Sequence, residues 1–274
     1  MNRISFSGDL ERNLRVIIAR SYVRIVGGFR EPSWLIWDTF LPILNLSAYV
    51  YVYKVMNAPP EFTGFVILGG AMMAFWLNVL WDMAAQFYWE KETGNLEPFL
   101  IAPISRMAML MGMAIGGIFN TTIRALGILT AGILIFQVGF LVNDPFAALI
   151  VFALTITALY SLGMVFASLF LMYGREAWHT SQLLQEPIYF LSGFYFPVKF
   201  LPFWIQVVAS AIPVTFGLDA IRRILILGAG LQDVSFDIVA LAIFSFVLFF
   251  MARWALRYME GLGQKEGRLT LRWQ

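Results

Sequence analysis

The sequence predicts an all-α membrane protein: six spanning helices behind an N-terminal amphipathic helix that lies on the membrane surface. Three observations lead there. The chain is 60% hydrophobic and only 13% charged, against about 25% charged in an average soluble domain, and a 274-residue globule cannot hide that much apolar surface. About six stretches supply the roughly 20 apolar residues that a span requires. The charges gather at the chain ends and at a few breaks between those stretches.

The elements follow in order. In residues 9–28, Leu10, Leu14, Ile17, Ile18 and Ile25 fall near one face at helical spacing, while Arg12 and Arg15 fall elsewhere. Such a basic helix suits an anionic leaflet; the plainer reading is a charged lead-in to the first span. Span 1 is placed at 34–55, with Pro42 expected to kink it. Span 2 covers 62–88. Span 3 covers 107–142, long enough to need tilt or a protruding end, and "NDP" at 143–145 is a turn signal. Span 4 covers 146–172. Span 5, at 181–195, is too short alone and is expected to start inside the polar break at 173–187. Residues 196–232 form an apolar stretch punctuated by Pro, and span 6 covers 236–258. The whole of 1–274 is read as one transmembrane domain.

Lys and Arg set the expected orientation. With the N-terminus inside, fourteen fall inside: Arg3 through Arg30, Lys91, Arg106, Arg175, and Arg253 through Arg272. Lys54, Lys199, Arg222 and Arg223 fall outside, and Arg124 lies within span 3. Both termini and the 88–106 connection are therefore expected in the cytoplasm, in a multi-pass protein of the cell (inner) membrane. No cleaved signal peptide is expected, because residues 1–31 lack a compact apolar core with a cleavage site.

Several chemistries are excluded. There are no cysteines, hence no disulfide, thiolate metal site or cysteine nucleophile. No GxxxxGK[ST] phosphate loop is present, so the chain is not expected to hydrolyse nucleotide or to bind a cofactor itself. His179, beside Glu176, is the sole histidine and reads as loop chemistry; no cluster has metal-ligand spacing. No nucleic-acid partner is expected. Three charges lie deep in spans: Asp38, Asp82 and Arg124. Asp82 and Arg124 are placed either to pair across neighbouring helices or to face headgroups or a wet cavity. "GMAIG" at 112–116 permits close helix packing. Most Trp and Tyr residues fall near span ends, as an interfacial belt does. The block "IYFLSGFYF" (188–196) is denser, and Tyr189, Phe190 and Phe194 are candidates to line a translocation path.

Two stretches carry a resemblance. "EKETGNLEPFLIAPIS" (90–105) has an acidic run, Gly, a small polar residue, Leu, Glu and an apolar stretch ending in Pro. It resembles a motif of the ABC-2 type transporter permeases, membrane subunits of one class of ATP-binding cassette exporters. Glu90, Glu92, Gly94, Leu96, Glu97, Leu100 and Pro103 fit; Asn95 stands where Thr is usual, and Pro98 is less typical. The second stretch, 191–222, is similar to that family at Ser192, Gly193, Phe196, Pro197, Leu201, Pro202, Ile212, Pro213, Asp219 and Arg222. The resemblance covers nearly the whole chain.

What the resemblance implies is a half-transporter. Two such permeases, identical or related, would surround a path through membrane lipid. Two cytoplasmic ATP-binding cassette subunits, holding ATP and Mg, would drive it. Residues 90–104 would be the coupling segment, with Phe99, Leu100 and Ile101 entering a groove of the ATPase and Glu90, Glu92 and Glu97 meeting basic groups around it; the plainer reading is a solvated loop. Residues 196–232 would dip into the outer leaflet and return, which accounts for a stretch too apolar for a loop and too broken by Pro for one span. Cargo would be drug-like, lipid or lipid-linked glycan. An ion-coupled transporter or channel without an ATPase, and an embedded enzyme or scaffold, are the alternatives.

Overall fold

The computed structural model describes residues 6–171 and 174–266. Arg3, Arg268 and Arg272 lie outside the described residues, as do the side chains of Trp34, Arg175, Glu176 and Trp178. Among the described residues the structure is helical throughout: α1 (Phe6–Arg30), α2 (Pro32–Val55), α3 (Glu61–Leu77), a π-helical turn (Asn78–Met83), α4 (Gln86–Glu92), α5 (Leu96–Ile101), α6 (Arg106–Phe136), α7 (Pro145–Phe170), α8 (Gly174–Leu191), a 3-10 turn (Val198–Phe200), α9 (Phe203–Ala209), α10 (Pro213–Leu227) and α11 (Ser235–Glu266).

Four stretches among the described residues are long and apolar enough to cross a membrane: Glu61–Glu92 (α3 through α4), α6, α7 and α11. The pair α9–α10, bent by 102°, makes a fifth if it counts as one broken span. Length and composition therefore give four or five spans where six were expected. Of the two expected spans not among these, α2 interleaves Trp, Tyr, Asn and Ser with its aliphatic residues, and α8 opens on charged and polar ones. α2 runs through Pro42 as a single helix. α6 stops at Phe136, six residues before the expected end. Gln137 adopts a left-handed conformation (φ 54°) that closes the helix, and the Leu141 N–H donates to Leu225 O at 2.7 Å. α8 starts at Gly174, inside the polar break, and His179 sits exposed on a helix rather than in a loop.

α3 is the hub. Its apolar residues are buried all round, the mark of a helix with no outward face. α6, α7 and α10 pack against it, and α11 lies along α7, where Ser245 Oγ donates to Leu154 O at 3.2 Å. α1 lies along α6 on the small residues of "GMAIG". A Cβ on Gly112 would come within 2.7 Å of Ile17 O, and one on Gly116 within 2.6 Å of Arg24 Cβ. Leu10, Leu14, Ile18 and Tyr22 of α1 face outward, whereas the Ile17 backbone is turned into the packing face.

The two ends of the bundle differ. One gathers α1, the α4–α5 turn, the start of α6 and the end of α11, through Ser105 N donating to Asn13 Oδ1 (3.2 Å) and the Arg106–Glu260 ion pair (2.9 Å). The other gathers the α2–α3, α6–α7 and α10–α11 connections with the 192–212 segment. There Tyr53 Oη donates to Tyr195 O (3.1 Å), and Leu231 N donates to Asp144 Oδ2 (3.1 Å).

Candidate functional site

The first end carries a built projection. α4 closes on Gly94 (φ 77°), whose N–H donates to Lys91 O while Asn95 N–H donates to Glu90 O. Those two bonds are the paired C-terminal closure that a left-handed glycine permits. α5 then starts at Leu96. Pro98 is its third residue, inside the first turn, where no intrahelical N–H bond is required; the unusual proline therefore does not displace the helix start. Ala102 is extended, as the residue before Pro103 prefers.

The projection is braced from behind. Arg20 of α1 donates to Glu90, which also accepts from Gln86 Nε2 at 2.8 Å. Arg106 donates to Leu100 O at 2.9 Å. Glu90 is buried, so it faces α1 and not the surroundings, contrary to the expectation that it meets a partner's basic groups. Of the expected apolar tip, Leu100 packs against the core and the Arg20 guanidinium covers Phe99 at 4.7 Å from the ring centroid. Ile101 alone stands clear, 85% exposed. Glu92, Glu97 and Pro103 are exposed beside it, and Leu96 is buried.

Behind the brace lies a cavity of about 500 Å³ whose lining includes Arg20, Arg24, Asp38, Asp82, Glu90 and Arg124. The three deep charges are all here, facing a cavity as one alternative had it, and Asp82 and Arg124 are not paired with each other as the other had it. Arg124 binds Asp38 (2.6 Å) and Asp82 binds Arg24 (2.8 Å). α1 and α2 both border the cavity, and each supplies a partner closer than Asp82 and Arg124 are to one another. Asp82 also accepts from Asn78 Nδ2 (2.5 Å), and Asn78 accepts from the buried Tyr160 hydroxyl (2.7 Å). Asn78 and Asp82 stand on the π-helical turn, marked by Ala84 N donating to Val79 O at 2.9 Å, five residues back.

At the other end, Ser192 is buried and Gly193 takes φ 69°, turning Phe194 and Tyr195 inward. α3 accepts them at Gly69, where any Cβ would fall on the Phe194 carbonyl oxygen. Arg222 locks the turn: Nη1 donates to Gly193 O (2.7 Å), and Nη2 donates to Phe194 O and Phe65 O (both 2.8 Å). Arg222 is 3% exposed, so this residue of the expected re-entrant segment is a core clamp. Asp219 does not meet it; Asp219 pairs with Arg223 (3.0 Å), which also reaches Asp237. Pro197 and Pro213 are buried, Phe196 is half-buried and Pro202 is exposed. Among the candidate path residues, Phe194 and Tyr189 are buried and packed edge to face (5.8 Å). Only Phe190 is exposed, because the Gly193 turn directs its neighbours into the core.

The family model described as ABC-2 type transporter matches residues 12–226. The chain belongs to the ABC-2 type transporter family. It is similar to Nodulation protein J of Rhizobium leguminosarum bv. trifolii, 40% identical over 110 residues, which are 40% of this chain and 41% of that protein. It is similar to the probable multidrug ABC transporter permease YbhR of Escherichia coli K12, 28% identical over 155 residues, 55% of this chain and 39% of that one. The matches thus span about two-fifths of the length of these two relatives. The inner membrane transport permease YadH of E. coli K12 is 24% identical over 229 residues, 78% of this chain and 85% of that one.

For this ABC-2 family member, a multi-pass membrane protein, the residues that sequence reasoning missed are Arg20, Arg24, Asn78, Arg106 and Glu260. Part of the signal was present. Arg20 and Arg24 are one helical turn apart, as are Asn78 and Asp82, and Gln86 and Glu90, so two helices carry polar stripes of matching spacing. Glu260 has no such signal; only the return of α11 to the same end brings it to Arg106.

Proposed function

We propose that the chain is the permease subunit of an ABC exporter. α2 and α8 complete six spans with the four unbroken stretches counted above, α9–α10 forming the bend that enters the outer leaflet over 196–232 and returns. α1 rests its Leu10, Leu14, Ile18 and Tyr22 face on the inner leaflet of the cell membrane, and both termini lie in the cytoplasm. A second permease completes the path. Two ATP-binding cassette subunits, carrying ATP and Mg, supply the work.

The observation that carries the reading is the braced projection at 90–104. A helix pair that transmits movement has to be stiff along its length and apolar at its tip. Arg20–Glu90, Arg106–Leu100 and Arg106–Glu260 stiffen it, and Ile101 with Glu92 and Glu97 forms the exposed end. The cargo reading is drug-like, lipid or lipid-linked glycan; the word multidrug in one relative's name supports the first of these.

Co-expression with a candidate Walker-box ATPase tests this. The expected result is co-purification, with ATP turnover that depends on the chain. Absence of both, or transport in ATP-free vesicles driven by an ion gradient alone, rejects the reading.

A further inference from the structure

The polar cavity has an apolar annexe. A second cavity of about 420 Å³ is lined by Trp37, Leu41, Pro42, Met73, Leu77 and Trp81, among others. Asp38, Asn78, Asp82 and Arg124 line both cavities, so the two meet at the ion-paired group. Each lies within the roughly 300–1,000 Å³ range of small-molecule sites. Together they make a space that is apolar and aromatic at one end and charged at the other.

The charged junction has a sign. In the Arg124–Asp38 pair the side-chain exposures are 15% and 41%, and in the Arg24–Asp82 pair 28% and 42%. The arginines are the covered partners, and Thr121 Oγ1 further occupies Arg124 (3.2 Å). The wall therefore presents carboxylate oxygen. Three arginines face four carboxylates around the polar cavity (Arg20, Arg24, Arg124; Glu31, Asp38, Asp82, Glu90), leaving one negative charge in excess. A carboxylate accepts at several lone pairs, so one arginine contact does not exhaust it. Trp81 is held in place by its Nε1–H donating to Gln185 Oε1 (2.6 Å), and indole faces attract cations.

We propose that the joined cavities between α2, α3 and α6 bind an amphiphilic organic cation, its apolar body against Trp37, Leu41 and Met73 and its positive group against Asp38 and Asp82. Its status as cargo rests on the permease reading above; the binding itself does not.

The test uses the purified full-length chain in detergent micelles and two ions of the same shape and opposite charge, tetraphenylphosphonium and tetraphenylborate, in equilibrium dialysis against empty micelles. The expected result is saturable phosphonium binding, one per chain, at least tenfold tighter than borate. Asp38→Asn and Trp37→Ala each weaken it tenfold or more, while Leu10→Ser on the outward face of α1 leaves it unchanged. Equal binding of the two ions, or uptake no greater than by empty micelles, overturns the proposal. So does efficient cross-linking of Leu41→Cys between copies, which would put a second chain over the apolar opening. Should Asp38→Asn fail to fold, the comparison of the two ions on the unmodified chain still decides. Loss of ATPase co-purification sinks the permease reading and leaves this result standing; equal ion binding does the reverse.

Discussion

The guanidinium of Arg20 lies 4.7 Å from the centroid of Phe99 while its Nη2 donates to Glu90. One side chain of α1 therefore holds both arms of the α4–α5 projection. A force on Ile101 reaches α1, and through the close seat at Gly112 and Gly116 it reaches α6.

Breaking that link separates docking from work. Arg20→Ala leaves the Ile101 surface in place but frees the arms. The expected outcome is normal membrane insertion and ATPase co-purification, with chain-dependent ATP turnover or transport reduced at least fivefold. Glu90→Gln gives the same phenotype in milder form, since the amide still accepts a hydrogen bond from Arg20. Purification yield and turnover of the complex, measured together, check this.

Ile101→Asp places a charge at the exposed tip. At a buried interface an apolar anchor contributes about 2 kcal/mol or more, or roughly 30-fold in affinity. Co-purification of the ATPase is expected to fall by at least that factor with no change in the melting temperature of the chain. Phe99→Ala, at a ring already covered by Arg20, is expected to weaken docking less than Ile101→Asp does. The reverse order in a pull-down contradicts the assignment of the tip.

Arg222 and Asp219 are expected to behave as strangers. Arg222→Met strips hydrogen bonds from the Gly193, Phe194 and Phe65 carbonyls in the core. Unsatisfied buried groups of this kind cost about 1–3 kcal/mol each, so a fall of several degrees or more in melting temperature is expected. Asp219→Asn removes only a partly exposed i,i+4 pair, worth about 0.3–0.5 kcal/mol, and is expected to be nearly silent. Thermal unfolding in detergent distinguishes the two.

A double-mutant cycle reads the deep charges directly. Neutralising Asp38 and Arg124 singly and together is expected to return a coupling of about 0.5–3 kcal/mol, the range for residues in contact. The Asp82–Arg124 cycle is expected to return a markedly smaller value, because each has its own partner. Chemical or thermal unfolding of the four variants in each cycle supplies the energies.

The course of the chain was largely legible from hydrophobic runs, because a bilayer permits few backbone arrangements. Gly94 and Gly193 were legible as motif positions, and the structure makes its left-handed turns there. The pairing of charges was not legible. Asp82 and Arg124 were the deep pair visible along the sequence, but which helices meet at a cavity is decided by packing, and α1 brought Arg24 to Asp82 while α2 brought Asp38 to Arg124. Side-chain exposure within the motifs was equally hidden. Phe99, Leu100 and Ile101 are consecutive and alike in the sequence, yet three different fates follow from one helical turn. Arg222 was placed in the re-entrant segment, but its role as a clamp was hidden because the carbonyls that hold it come from residues 28 to 157 positions away.

The π-helical turn at Asn78–Met83 holds one more residue than an α-helix would fit in the same arc. Everything beyond it is thereby rotated by about 100°, the angle one residue subtends in an α-helix. Straightening that turn into regular α-helix, with no residue lost, would leave hydropathy, length and every motif intact. It would also swing Glu90 off Arg20 and point Ile101 in another direction. The angular phase between the membrane hub and its projecting tip is thus set by one supernumerary residue, so homologous chains that share both motifs can still aim them differently.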